Sequence, residues 1–476
     1  MTYNEAITTL ETVSRRKKLY PIYLRMERMQ LLFDALGLDI ASPSVHIGGT
    51  SGKGSTSTLC AEVLQAAGYS VGLHMTPHLQ TPRERMQVNG VMPSETEFAN
   101  LVSTVYPTAL HLEDTRSYGA YNSQEILFAI AALHFKRSNV DIAIVETFMG
   151  GQFDPTNVIK PLVSMITNVD LDHTRLLGRT VEAIAMVKAG LIKVGTPFIT
   201  AAVQPSVVAI FKQRAKDVNA PYIVIGEQNK HQAKMLGQKG SVLSAQVLDN
   251  LFANLHLKLL GKHQINNAIQ VLYIAQVLRS RGWLIPDEAI RLAFAHAFIP
   301  GRLEIVEENP LIILDGAHNP AKSKALAETL KRLFRKQKIV FVFAMKKGKN
   351  FEDTVKPLLP IAEKFIITRF SDKKSQTTSI IAKHLKQRGV SATTRLDPVD
   401  AIKLAKRQAK PNTIICVTGS LYLVGQVRNY WFPNAEKALP NFDDTAWANA
   451  VGEPIQRAEI ESMQHKAGGI HARQKN

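Results

Sequence analysis

Short apolar runs recur along the chain, each too brief for a helix and too continuous for a strand with one wet face. Val45–Ile47, Val71–Met75, Asp141–Glu146, Val163–Val169, Pro197–Ala201 and Tyr222–Ile225 are of this kind. Such runs suit strands buried on both faces of a sheet. Segments with helical character, such as Ser123–Phe135 and Val181–Ile192, lie between some of them. The first 40 residues predict two helices, with an apolar stripe at Ile22, Leu24, Met29, Leu32 and Leu36. Strands alternating with helices argue for an α/β fold with a mainly parallel sheet. The stretch Gln228–Lys258 is less regular and reads as a small β excursion.

The pattern breaks at Phe298-Ile299-Pro300-Gly301-Arg302. A second strand–helix series then follows, at Leu311–Leu314, Ile339–Ala344, Phe365–Thr368 and Ile414–Val417, with a weaker strand at Ala392–Leu396. This predicts a smaller, Rossmann-like C-terminal domain. After Tyr430 the chain becomes polar, with no helical period, and reads as a tail with a disordered end. The expected division is therefore 1–298, 299–430 and 431–476. A length of 476 residues agrees, since one core rarely grows past about 250–300 residues.

Composition removes several classes of protein. With 45% hydrophobic and 21% charged residues, the chain is neither disordered in bulk nor fibrous. No apolar run approaches the roughly 20 residues of a membrane span, and no signal peptide is visible at the start. Cys60 and Cys416 are the two cysteines, too few for a disulfide framework or a cysteine zinc site, which fits a reducing cytoplasm. The net charge is +18, and residues 301–430 hold 25 basic against 11 acidic side chains. That excess suits either solvated helix faces or a polyanionic ligand. No nucleic-acid-binding motif accompanies it, so a nucleic-acid partner is not expected.

The most informative segment is His46-Ile47-Gly48-Gly49-Thr50-Ser51-Gly52-Lys53-Gly54-Ser55-Thr56, which follows a strand and opens a helix. Glycines let backbone N–H groups close around phosphate oxygens, the helix start favours an anion, and Lys53 supplies a cation. The loop departs from the common G-x-x-x-x-G-K-[ST] pattern, since Ile47 stands at its first glycine and Gly54 separates Lys53 from Ser55. Two acidic positions follow strands: Glu146, and Asp170-Leu171-Asp172 beside His173. Carboxylates there overhang the crevice where α/β proteins bind ligands, and a hard oxygen ligand suits Mg²⁺ on nucleotide phosphates.

The form G-T-x-G-K-G-S resembles the phosphate loop of the Mur ligase superfamily, and specifically of the folylpolyglutamate synthase/dihydrofolate synthase family. The resemblance continues in order through Thr76-Pro77-His78, Glu146–Asn157, Asp172-His173-Thr174 with Lys188-Ala189-Gly190, His263–Ala268, and Pro300–Pro320, and spans roughly residues 5–430. It implies an ATP-dependent amide ligase that adds L-glutamate to a folate or dihydropteroate carboxylate through an acyl phosphate. ATP would contact Gly49, Thr50, Ser51, Gly52, Lys53, Gly54, Ser55, Asn267, Arg302 and Asp315. Thr76, Glu146 and Ser55 would hold one Mg²⁺, and His173 a second, joined by a carbamylated Lys188.

In the same implied scheme, Lys53, Lys188 and His318 are catalytic. Gly150, Gly151, Asp154, Asn157, His318 and Ser420 bind substrates. The partners would be pteroate or folate, L-glutamate and ATP, handled by a cytoplasmic monomer that engages neither nucleic acid nor membrane. Several positions differ from the family pattern: Val187, Phe148-Met149, Gln152, Pro155 and Gln80-Thr81-Pro82. A ligase of the same superfamily with a non-folate acceptor therefore stands beside the folate reading, with a P-loop kinase or switch as a further alternative.

Overall fold

The computed structural model describes residues 1–15, 25–116, 118–228, 230–335, 337–370 and 375–433. Among them, one sheet has seven strands: β1 (Ser44–Gly48), β2 (Val71–His74), β3 (Met86–Val88), β4 (Ile142–Glu146), β5 (Val163–Ile166), β6 (Phe198–Thr200) and β7 (Tyr222–Val224). Their spatial order is β3-β2-β4-β1-β5-β6-β7, parallel except for β3. β1 lies between β4 and β5, with Ile47 level with Glu146 and Gly48 level with Ile166. Parallel strands in that register release their following loops at one edge, which is where ligands of open α/β sheets bind.

Both faces of this sheet are covered, as its apolar strands require. On one face, helices α1 (Tyr3–Arg15), α2 (Arg25–Ala35), α4 (Glu95–Thr115) and α5 (Ser123–Arg137) share a core that includes Met29, Leu32, Phe98 and Phe128. On the other, α3 (Lys53–Ala66) and the helix Lys262–Arg279 pack with Val45, Ile47 and a three-stranded antiparallel sheet. That sheet comprises β8 (Lys230–Met235), β9 (Ser241–Val247) and β10 (Asn250–Leu257). Leu243, Ala245 and Val247 on β9 alternate inward against Phe252, Leu255 and Leu257 on β10, so the irregular stretch is a half-buried β unit.

The C-terminal sheet runs β11 (Glu304–Glu308), β12 (Leu311–Leu314), β16 (Ile414–Thr418), β13 (Ile339–Phe343), β14 (Ala362–Ile367) and β15 (Ser391–Thr394) in space. It is parallel except for β11, and apolar clusters fill both faces.

Several elements differ from expectation. Of the N-terminal stripe, Met29 and Leu32 are buried in α2 and Leu36 follows its end, while Ile22 and Leu24 lie outside the described residues. The strand expected over Val163–Val169 stops at Ile166, because Thr167 and Asn168 turn away to hydrogen-bond the phosphate loop. The helix expected over Val181–Ile192 ends at Lys188 and tightens into a 3₁₀ turn at Ala189–Leu191. There Gly190 lies so close to Gln152 that a β-carbon would stand 2.5 Å from the Gln152 Cα. The antiparallel edges β3 and β11 and the 21-residue helix α4 were not anticipated. The tail lies outside the described residues from 434 onward.

A buried ion pair ties α2 to α5. Arg28 donates to Glu125 from Nη2 at 2.9 Å and from Nε at 3.2 Å, and both side chains are almost fully enclosed. Removing one member of such a pair costs about 3–5 kcal/mol, because the other charge stays buried without its counterion. Glu125→Ala should lower unfolding free energy by that order in a urea titration, and Glu125→Gln should lose less.

Candidate active site

The phosphate loop owes its shape to close contacts that exclude side chains. Gly49 has φ 139° and Gly52 φ 83°, both in the region glycine tolerates. A β-carbon on Gly49 would stand 1.9 Å from Thr167 Oγ1, and one on Gly52 2.6 Å from Asn267 Oδ1. The backbone N–H groups of Thr50 and Ser51 donate to Asn168 Oδ1 at 3.2 and 2.9 Å, and Thr167 Oγ1 donates to the Ser51 carbonyl at 2.6 Å. Lys53 Nζ folds back to the Gly49 carbonyl at 3.2 Å. Ser55, one turn into α3, is buried and accepts from Gln264 Nε2 at 3.4 Å.

Glu146 ends β4 beside this loop. Its Oε2 accepts the Thr76 N–H at 3.0 Å and lies 3.5 Å from the β-carbon position of Gly54. Burial raises its carboxyl above the usual range, opposed by Lys53, the Thr76 amide, Arg302 and Lys322. Lys188 is 1% exposed and donates from Nζ to the carbonyls of Gly49 and Met149 at 3.1 and 2.9 Å. Burial, then the charge of Lys53, brings its amine down to about 7. His173 starts the helix Thr174–Leu177 with φ 50°, and burial lowers its pKa. Burial alone would raise the neighbouring Asp172, but Lys349 and His173 outweigh it and hold that carboxyl below its usual range.

Among the described residues, no three His, Cys, Asp or Glu side chains gather closely enough to hold a metal on their own. The Glu146 carboxylate with the hydroxyls of Ser55 and Thr76 is a hard-oxygen donor set, which fits Mg²⁺ in chemistry. Lys188 offers no lone pair while protonated; as a carbamate it would present oxygens, which suit Mg²⁺.

The loop after β4 is held by its own side chains. Asp154 Oδ2 accepts from the N–H groups of Met149 and Gly150, and Oδ1 from the backbone and hydroxyl of Thr156. Asn157 Nδ2 donates to the carbonyls of Gln152 and Gly190, while its Oδ1 is buried without a hydrogen-bond partner. Gly150 and Gly151 have φ 78° and 123°, and a β-carbon on Gly151 would meet the Val187 carbonyl at 2.5 Å. Asp154 and Asn157, expected on the substrate, are thus engaged in fastening the loop.

The second sheet supplies the opposite wall. Asp315, at the end of β12, accepts the N–H groups of Leu303 and Ala317 at 3.0 and 2.9 Å, which fixes the turn carrying Arg302. His318 Nδ1–H donates to the Gly316 carbonyl at 2.8 Å, so Nε2 keeps its lone pair and faces Lys322 Nζ at 3.4 Å. Burial, then Lys322, holds the imidazole neutral. The Lys322 amine is itself lowered to about 7, by burial and then by Arg302 and Lys53. Ser420 accepts from the Tyr422 N–H and caps the helix Leu421–Arg428. Between the walls lies a cavity of about 460 Å³ lined by Ser51, Gly52, Ser55, Asn267, Arg302, Asp315 and Lys322. A smaller, more apolar cavity, about 120 Å³, adjoins it past Glu146 and Thr76.

Thr167, Asn168 and Lys322 were missed by sequence reasoning. Lys322 carried a faint signal, since it stands four residues after His318 at a helix start and shares its face. Asn168 carried none, because its partners are 117 and 118 residues away.

A phosphate loop facing a buried strand-end carboxylate, closed over by a second parallel sheet, defines a nucleotide-dependent ligase of the Mur type. Residues 47–275 match the Mur ligase middle domain, and residues 301–421 match the Mur ligase glutamate ligase domain. The dihydrofolate synthase/folylpolyglutamate synthase of Bacillus subtilis is 36% identical over 392 residues, covering 80% of this chain and 89% of that protein. The folylpolyglutamate synthase of Mycobacterium tuberculosis, solved with ADP and AMPPCP, superimposes with a TM-score of 0.82 at 28% identity, covering 90% of this chain and 99% of that one. Escherichia coli FolC, solved with DHPP and ADP, gives 0.79 at 26% identity over 90% of this chain and 97% of that one.

The chain belongs to the dihydrofolate synthase/folylpolyglutamate synthase family, and it is an ATP-dependent ligase. Loss of the Asn168 acceptor should relax the two loop amides. Asn168→Ala is expected to weaken nucleotide binding about tenfold by calorimetry, the size of one lost hydrogen bond to a constrained group.

Proposed function

We propose that the chain joins L-glutamate to the carboxylate of a pteroyl or folyl acceptor, converting ATP to ADP and phosphate. The observation that carries this reading is that groups of both sheets meet: Glu146 and Arg302 line one cavity, the charges of Lys53 and Arg302 act on Glu146, and that of Arg302 acts on His318. The Bacillus relative's name and the DHPP and ADP bound to the Escherichia coli relative support the acceptor class.

A carboxylate is a poor electrophile, and an amine does not displace oxide from it. Transfer of the γ-phosphoryl group gives an acyl phosphate with a good leaving group. The glutamate amine then attacks and phosphate departs. Gly49, Gly52 and Gly54, with Lys53 and Arg302, hold the phosphates in line, while Asn168 braces the Thr50 and Ser51 amides of the same loop. Asn267, packed on Gly52, borders the nucleotide, and Asp315 has lone pairs left for ribose hydroxyls. His318 keeps Nε2 free of a proton in the cleft, ready to hold one from the incoming amine. Gly150 and Gly151 shape the acceptor wall, with Asp154 and Asn157 fixing that shape. Ser420, which caps the helix whose Leu421 lines the apolar cavity, would border the glutamate.

Glu146, Ser55 and Thr76 would hold one Mg²⁺, and His173 with carbamylated Lys188 a second; bound magnesium would neutralise charge on the phosphates. The chain divides at 298/299 into an ATP-binding domain and a ligase domain, with the tail from 431. A single chain supplies both walls of the cleft, which supports a monomer. The two buried free cysteines support a cytoplasmic setting. Among the described residues, no helix is long and apolar enough to cross a membrane.

Mass spectrometry should detect a product heavier by one glutamyl residue only when a pteroyl acceptor, ATP, Mg²⁺ and glutamate are all present. Product from a non-folate acid alone would redirect the acceptor assignment, and ATP turnover indifferent to glutamate would end the ligase reading. The Lys188 amine must be neutral to take up CO₂. With its pKa near 7, carbamylation should rise as pH increases through that value. Labelled ¹³C-bicarbonate should give a carbamate signal that is weak at about pH 6, strong at about pH 8 and absent from Lys188→Met. A fully active Lys188→Ala protein in bicarbonate-depleted buffer would remove this lysine from the reaction.

A further inference from the structure

Lys322 stands on the first turn of the helix Pro320–Leu333, where the Asn319 side chain caps its backbone N–H at 2.9 Å. It lines the cavity together with Ser51, Gly52 and Ser55 of the phosphate-loop wall, and its Nζ lies 3.4 Å from Nε2 of neutral His318. The charges that act on it are those of Arg302 from the turn before β11, Lys53 from the start of α3, Asp172 after β5 and Glu146 from β4, while Lys349 acts on the neighbouring His318. Asp172 is bound to Lys349 at 3.1 Å, and Glu146 takes the Thr76 amide.

Lys53, Arg302 and Lys322 thus lie near enough for their charges to oppose one another, and the carboxylates Asp172 and Glu146 offset them only in part. Desolvated like charges are unfavourable, so such a cluster makes sense around a polyanion. Lys53 and Glu146 mark the end of the loop that meets the terminal phosphate; both act on the charge of Lys322, which lines the same cavity as Gly52 and Ser55.

We propose that Lys322 is a phosphate ligand of the second wall, gripping the terminal phosphoryl group of ATP through Nζ. As the bond from that phosphorus to the ADP oxygen breaks and one to the acceptor carboxylate oxygen forms, Lys322 keeps its proton and stays with the group. This inference rests on the reading of the cleft as an ATP site, but not on which acid accepts the phosphate.

Equilibrium binding of two probes tests it: ADP, and the β,γ-methylene analogue of ATP, each with Mg²⁺. Lys322→Met should bind the analogue at least about tenfold more weakly while ADP binding stays within about twofold, as expected for one lost charge-assisted contact. Lys322→Arg keeps the cation and should recover most of the difference. Thermal melts of both variants guard against a folding defect, and Lys322→Gln replaces Met if that variant is unstable. Equal losses for both nucleotides, or no loss for either, would overturn the assignment of Lys322. Failure of the wild-type protein to bind either nucleotide would instead sink the ATP-site reading.

Discussion

The parallel register of β1 between β4 and β5 sets the level at which the chain leaves the sheet. Ile47 pairs with Glu146 and Gly48 with Ile166, so the phosphate loop, the Glu146 carboxylate and the Thr167-Asn168 turn emerge side by side. A slip of one residue would invert every side chain on β1 and send its apolar residues to the wrong face. Because Val45, Ile47, Ile144 and Val163 are all fully buried, that slip is strongly disfavoured. The geometry of the loop is thus tied to the same apolar contacts that hold the sheet together.

The electrostatics of the cleft follow from dividing it between two sheets. Lys53 and Lys188 come from the first, Arg302, Lys322 and Lys349 from the second. Burial and mutual repulsion bring Lys188 and Lys322 down toward neutrality in the free protein. Such a cleft is costly while it contains only protein and favours a polyanion that spans both walls. The contacts of Asp172 with Lys349 and Asn319 join the walls at one side, and Arg428 and Asn429 reach Gln80 at the other. A ligand spanning both walls is thereby screened from water, as an acyl phosphate would require.

The loop after β4 shows a carboxylate at work without facing solvent. Asp154 takes four hydrogen bonds within its own loop, and Asn157 staples that loop to Gly190. These hydrogen bonds organise the backbone of the loop. Val187, a departure from the family pattern, meets the loop through its carbonyl, which accepts from Gln152 N–H at 3.0 Å, and through its side chain, which packs against Gly151.

Local chemistry was legible in the linear sequence. Apolar runs marked the buried strands, the glycines around Lys53 marked an anion cradle, and Pro300-Gly301 marked the break between two strand–helix series. These are short-range properties, set by side-chain period and backbone freedom over a few residues. The tertiary structure alone decided which distant groups meet. It put Asn168 under the loop amides, set Lys322 against His318, turned β3 and β11 antiparallel at the sheet edges, and gave Asp315 to the turn that carries Arg302. Pairing across a hundred residues depends on register and packing, and no local pattern of residues carries that information.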